Sequence, residues 1–357
     1  MESTDLISHL LDLLAEPAFS VKDGTIRLVN SAAQQLDLHP GIVVSDLIHI
    51  GKESYAEFNQ GCLYLTLTVS SAQFGASVTR VGNTHIFRLV STTESYVLRA
   101  YALAAQHLRN PISNVVAVSN QLLDDDRLAE NPLRDKQASQ LSRSLYQLQR
   151  LVGNMSDAGR YVGNTQPIME VLNLTALFRE IMDKAAYLAE SADIRLQFTP
   201  CSQEVLGSAN QECIERAVYN LLSNAIKFSP AGSVIQAKLS RKNNLLCFTL
   251  QDEGNGMPAS LQGNAFSRFQ RTPAVEDSKN GIGLGLLLVR SAATAHGGTV
   301  LLEQPEGRGL RVTMTITIRQ DHSQNLRFSA LRIDPWSGRD PGLVELSDAL
   351  PADAFQE

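Results

Sequence analysis

The sequence predicts a multidomain α+β chain: a small α/β module, a helical hairpin, a two-layer α/β sandwich and a polar tail. Three observations predict it. Along 357 residues the apolar pattern changes period twice, from short strand-like runs to heptad spacing and back. The length suits two or three domains at roughly 150 residues each. With 43% hydrophobic and 19% charged residues, the composition excludes a wholly disordered chain.

Residues 1–95 form the first module. Leu6–Leu14 reads as a short amphipathic helix. Strand-like runs follow at Ala18–Val21, Thr25–Val29, Cys62–Val69, Phe74–Val81 and His85–Val90, with turns at Asp23-Gly24 and Asn83. Residues 96–162 change character. Leu98, Tyr101, Ala105, Leu108, Ile112, Val115 and Leu122 step mostly by three and four, as do Leu141, Leu145, Leu148, Val152 and Met155. Between them runs a polar break from Asp124 to Pro132. The result is an antiparallel αα-hairpin whose narrow apolar seams need more cover than one hairpin supplies. A dimeric four-helix bundle supplies it, so a homodimer is expected.

After a polar connector, residues 171–319 return to mixed α/β character. Helices are expected at Thr175–Glu190, Gln211–Phe228 and Leu284–Ala295. Strands are expected at Ile194–Thr199, Ser233–Leu239, Leu245–Asp252, Thr299–Glu303 and Arg311–Ile318. Helices on one face of a mostly antiparallel sheet is the expected sandwich. Residues 320–357 are a polar tail with one apolar stretch, Leu343–Leu346, to which the sequence assigns no role.

Several function classes fall away. Net charge is −6, from 31 bases and 37 acids, and no Lys/Arg run reaches five residues, so no nucleic acid is expected as a partner. Cys62, Cys201, Cys213 and Cys247 form no C-x-x-C pair and have no histidine at metal-ligand spacing. The acidic start lacks a signal-peptide pattern, and no apolar run reaches the roughly 18 residues of a membrane span. A cytoplasmic chain with reduced thiols is expected.

Three motifs carry chemistry. Asn220, Asn224 and Lys227 lie at i, i+4 and i+7 on one helix face. Amide oxygens there can coordinate Mg²⁺ and a lysine can meet phosphate, although a solvated face would show the same residues. Asp252, Gly254 and Gly256 follow a strand. The glycines allow close backbone approach, and the carboxylate can accept from an exocyclic amine. Gly281, Gly283 and Gly285 lead into an apolar helix, an arrangement that cradles anions on backbone N–H groups. No βαβ unit surrounds them, which disfavours a dinucleotide fold. Between the second and third motifs lies a Gly/Ser/Gln-rich stretch with Phe266 and Phe269, of a length typical of a lid.

In this order and spacing the motifs resemble the N, G1, F and G2 boxes of sensor histidine kinases, whose nucleotide-binding fold is shared with gyrase and the heat-shock protein 90 chaperones. The resemblance covers residues 171–319. It implies an ATP-binding catalytic domain holding Mg-ATP under a mobile lid. Asp252 would read the adenine amine, Asn220 and Asn224 would serve the metal, Lys227 would touch phosphate, and the Gly281–Gly285 turn would hold phosphates. The ATPases of the class carry a glutamate at the first N-box position, and this chain has Asn220. The N-terminal module resembles a PAS-type sensor, without an evident haem-ligand or flavin-cysteine constellation.

The hairpin resembles the dimerisation and phosphoacceptor domain of the same family, which implies autophosphorylation on a histidine and transfer to an aspartate of a response regulator receiver domain. The H box departs from the pattern. Gln106-His107-Leu108-Arg109-Asn110-Pro111 can be aligned on Leu108–Pro111, which puts Gln106 at the acceptor position. It can also be aligned on His107, which deletes the acidic neighbour. The first alignment suits the seam residues Leu108 and Ile112, the second suits Tyr101–His107. Two functions follow: a kinase with His107 as acceptor, or an ATP-binding signalling pseudokinase that regulates a partner without phosphohistidine.

Overall fold

The computed structural model describes residues 7–9, 11–89, 101, 103–108, 112–116, 119, 132–162, 167–258, 265–266, 284–305, 307–319 and 340–355. β1 (Ala18–Lys22) and β2 (Thr25–Val29) make a hairpin across Asp23-Gly24, both at positive φ, 53° and 74°. That is the turn chemistry a two-residue hairpin requires. The connection onward contains α1 (Ser31–Gln34), α2 (Val44–Leu47), β3 (Ile48–Ile50) and α3 (Lys52–Ala56). None of these short elements was expected from sequence, because one helical turn is too short to show a period. β4 (Cys62–Val69), β5 (Ala72–Val81) and β6 (Thr84–Leu89) complete the module. Buried Asn30 ties it together. Its Oδ1 accepts from the backbone N of Ala18 and Ala33, and its Nδ2 donates to the carbonyls of Leu11, Leu14 and Glu16.

The helix expected as the second of the hairpin is α4 (Pro132–Val162), and residues 120–131 before it lie outside the described residues. Then come β7 (Glu170–Asn173), α5 (Leu174–Glu190), β8 (Arg195–Thr199), β9 (Leu206–Ala209) and α6 (Gln211–Phe228). β10 (Val234–Lys242), β11 (Leu245–Gln251), α7 (Gly285–Ala295), β12 (Val300–Glu303) and β13 (Arg311–Thr317) follow. α5 and α6 start where asparagines cap them: Asn173 Oδ1 accepts from Ala176 N at 3.0 Å and Asn210 Oδ1 from Cys213 N at 2.9 Å. The strand order β12-β13-β11-β10-β8 is antiparallel except for the parallel β10–β8 pair. Its apolar face and the three helices share one core, built on Phe178, Ile214, Val218, Leu222, Phe248 and Val289. This is the expected two-layer arrangement.

Two features were not expected. First, the two sheets are one. β4 pairs antiparallel with β12, with Tyr64 opposite Val300 and Cys62 opposite Leu302. Among the described residues, 11 strands therefore join in a single sheet. Gly61 permits the junction: at φ 85°, a β-carbon there would lie 1.9 Å from the Leu302 carbonyl oxygen. Ser54 Oγ and Thr299 Oγ1 hydrogen-bond at 2.9 Å, and Glu57 pairs with Lys242. Second, part of the polar tail is packed. α8 (Pro341–Leu346) and a 3₁₀ turn (Ala352–Phe355) bury Leu346, Leu350 and Phe355.

The hairpin seam divides between two environments. Leu145, Val152 and Met155 are buried within the chain, whereas Leu141 and Leu148 are each 42% exposed. Leu145 is thus filled by the chain's own packing. Leu98 and Leu122 lie outside the described residues.

His296 fastens α7 to α6. Its Nδ1 lies 2.7 Å from Ala292 O, and its Nε2 accepts from Asn210 N at 3.0 Å, at the cap of α6. An imidazole used both ways is neutral, and burial pushes its pKa below the ordinary value, aided by Arg319. As pH falls through the ordinary histidine range, the unfolded chain takes up a proton that the folded one resists, so stability drops. Thermal melts of wild type should show this acid-side loss, and His296→Gln should flatten it.

Candidate functional site

Three segments meet at the face of α6. The helix presents Asn220, which is 1% exposed, with Asn224 and Lys227 half-buried one and two turns on. The Lys227 ammonium lies 5.7 Å from the centre of the Phe228 ring. From the end of β11 the chain enters the turn with Asp252. Its Oδ1 accepts from Gly254 N at 2.9 Å and Leu310 N at 3.0 Å. Both bonds use Oδ1, so Oδ2 is the oxygen available to an amine on a ligand. A β-carbon on Gly254 would sit 2.6 Å from Phe228 O, which shows how closely this turn lies against the end of α6. Gly256 has φ 69°, a conformation only glycine adopts freely. Gly285 opens α7, and a β-carbon there would lie 3.1 Å from Asn220 Oδ1 and 3.8 Å from Asn224 Nδ2. The amide face, the carboxylate turn and the glycine-started helix thus converge.

Electrostatics follow from the burial. Burial raises the Asp252 pKa, and the two backbone N–H donors pull it back in part. The carboxylate is therefore held oriented but only lightly stabilised as an anion. A ligand amine on Oδ2 would complete its coordination.

Other expected site residues are placed differently. Phe269, Gly281 and Gly283 lie outside the described residues. Phe266 is a core residue. Its ring centre is 5.5 Å from that of Tyr64 on β4, its carbonyl accepts from Arg290, and the Arg290 guanidinium stands 5.3 Å from the Tyr64 ring. The aromatic expected in a lid is thus anchored on the N-terminal module, because the β4–β12 junction brings an apolar partner to it. His107 is exposed, while Ala105, two residues before it, is buried with Val152, Met155, Leu284 and Leu287. Arg109, Asn110 and Pro111 lie outside the described residues.

Sequence reasoning missed two contributors. Gly309, in the turn before β13, has φ 96° and lies so close to Asp252 that a β-carbon would be 1.9 Å from its carbonyl oxygen. Arg150 had no visible signal at all. From the polar side of α4, its Nη2 donates to Asn220 Oδ1 at 3.3 Å.

Part of the chain is similar to known proteins. Residues 209–320 match the family described as histidine kinase-, DNA gyrase B-, and HSP90-like ATPase. Over 201 residues the chain is 32% identical to sensor protein QseC of Salmonella typhi, covering 55% of this chain and 42% of QseC. Sensor histidine kinase CusS of Escherichia coli K12 is 28% identical over 214 residues, 59% of this chain and 44% of CusS. The chain spans less than half the length of these curated relatives. Among solved structures, full-length ShkA in complex with AMPPNP aligns with TM-score 0.50 at 20% identity, covering 62% of this chain and 46% of ShkA, a likeness of fold. Among the described residues, no helix is long and apolar enough to cross a membrane. Residues 209–320 thus carry an ATPase-type domain of this described family, and the chain is similar to sensor histidine kinases over a little more than half its length.

Proposed function

We propose that the chain is a cytoplasmic two-component kinase that binds Mg-ATP, autophosphorylates on His107 and passes the phosphoryl group to an aspartate of a response regulator. The observation that carries this reading is the convergence of Asp252, the Asn220/Asn224 face and Gly285 in one place, with an amide at position 220. An amide cannot take a proton from water, so the γ-phosphate is kept for another nucleophile. The donor set suits the nucleotide: a carboxylate for the adenine amine, two amides for Mg²⁺, Lys227 for phosphate and backbone N–H groups at the start of α7. Bound by the Asn220 and Asn224 amides, Mg²⁺ would supply positive charge to offset that of the phosphates. The γ-phosphoryl group moves to an imidazole nitrogen of His107 and ADP leaves.

The division into a sensor module at 1–95, a hairpin at 96–162 and a catalytic domain at 171–319 belongs to the same proposal. The strand order β2-β1-β6-β5-β4, with short helices between β2 and β4, supports a PAS-like reading of the first part. A homodimer is supported by exposed Leu108 and Val115, and by exposed Leu141 and Leu148, each pair seven residues apart. Replacing Leu141 and Leu148 with Glu is expected to convert dimer to monomer in light scattering. Leu145, buried within the chain, is not the residue to change.

The pseudokinase reading is favoured by Gln106, which fills the acceptor position when Leu108 is aligned with the family. Incubation with γ-labelled ATP separates the two. The kinase reading expects slow, acid-labile labelling that His107→Gln abolishes. General-base help is worth about 10²–10⁴-fold, and the missing acidic neighbour accounts for the slowness. If Gln106→His with His107→Glu labels strongly while wild type stays at background, the pseudokinase reading holds.

A further inference from the structure

We propose that residues 340–355 are an intramolecular ligand of the cleft between α4 and α6, and that their docking holds the nucleotide site closed. The inference rests on the ATP-site reading above and adds its regulation.

The cleft is cationic and the occupant is acidic. Arg150 from α4 and Arg216 from α6 face it. Glu345 pairs with both, Oε2 at 3.6 Å from Arg150 Nε and Oε1 at 3.1 Å from Arg216 Nε. Asp348 Oδ2 is 2.7 Å from Arg150 Nη1. Arg216 also pairs with Asp157 and donates to Asn154 Oδ1 on α4. The apolar side of the occupant is equally committed. Leu346, Leu350 and Phe355 are buried, and the Phe355 ring centre is 5.1 Å from that of Tyr146. The Ser347 carbonyl accepts from Arg143 Nε and Gln147 Nε2, both on α4. Asp340 caps α8 and pairs with Lys184 of α5. The segment therefore joins α4, α5 and α6, elements that belong to the hairpin and to the nucleotide domain.

The consequence falls on Asn220. Held by Glu345 and Asp348, Arg150 places its remaining Nη2 on Asn220 Oδ1, while Asn220 Nδ2 donates to Arg216 O. A fixed guanidinium thus stands at one of the two amide oxygens offered to Mg²⁺, and like charge opposes a divalent cation there. The same docking keeps α4 on the start of α7, through Val152 and Met155 against Leu284 and Leu287. With Ala105 buried in that contact, His107 stays on the outside. The closed state therefore disfavours both metal-nucleotide entry and approach of the acceptor. Release of the segment frees Arg150 and opens both.

The test uses the full chain. Glu345→Gln with Asp348→Asn removes the charges that hold Arg150, and Leu346→Asp separately evicts the apolar anchor. Hydrogen exchange over 340–355 reads release, and calorimetry with a magnesium-bound, non-hydrolysable ATP analogue reads the site. Release should tighten the analogue at least about tenfold, the factor expected when the competent state is populated a tenth of the time. Equal or weaker binding in a released variant overturns the proposal and leaves the ATP-site reading intact. Retained protection in both variants also overturns it, because the hold then lies elsewhere. Absence of nucleotide binding in wild type and both released variants removes the ATP-site reading and this inference with it.

Discussion

Gly309→Ala is expected to abolish nucleotide binding, and Gly307→Ala is expected to spare it. Both glycines have positive φ, 96° and 111°, so alanine strains the backbone at either, at a cost of roughly 1–3 kcal/mol. Only at 309 does the β-carbon have nowhere to go. It would lie 1.9 Å from the Asp252 carbonyl oxygen and 3.2 Å from its Oδ1, whereas nothing is within 4 Å of a β-carbon at 307. The backbone that holds the carboxylate must shift, and overpacking adds roughly 1–3 kcal/mol. Denaturant unfolding should show both variants destabilised, Gly309→Ala more so. Calorimetry with an ATP analogue should separate them cleanly. Equal affinity in the two variants would show that the Leu310–Asp252 contact does not position the site.

Asp252→Asn should weaken adenine nucleotides by about 1–3 kcal/mol, the cost of a buried polar group left unmatched. The amide oxygen of the variant still accepts from Gly254 and Leu310, which turns its NH₂ toward the adenine amine, donor against donor. The wild-type carboxylate also sets a pH dependence. Its pKa is raised by burial, so nucleotide affinity should fall on the acid side sooner than for an ordinary aspartate. Stability runs the other way. A carboxyl group with a raised folded pKa contributes stability below its unfolded pKa and loses it as pH rises through the folded value. Binding titrations across pH should slope for wild type and be flat for Asp252→Asn.

Long elements were legible because their periods were long enough to read. Gln211–Phe228 shows more than four helical turns of apolar repeat, and its expected and observed ends coincide. Cys62–Val69 likewise matches. The one-turn helices between β2 and β4 carry no period and were invisible. At the candidate site, the shared face of Asn220, Asn224 and Lys227 and the turn of Asp252 with Gly254 were legible because each grouping is set by spacing within one helix or one turn. Arg150 and Gly309 were not, since each acts on a residue far away in sequence. The docking of residues 340–355 was hidden for a related reason. An acidic segment looks solvated until the arginines it meets are known.

The joined sheet has a consequence for how the chain can be divided. β12 carries Val300, Leu301 and Leu302, and its outer edge is hydrogen-bonded to β4. A fragment that begins after the N-terminal module leaves that edge bare, a short apolar strand with unpaired N–H and C=O groups. Bare edges recruit other strands, including those of identical chains. The part of the sheet that follows β12 is therefore protected from self-association by the module that precedes it. A chimera that exchanges the first 95 residues for another module keeps that protection only if the new module offers β12 a strand of its own.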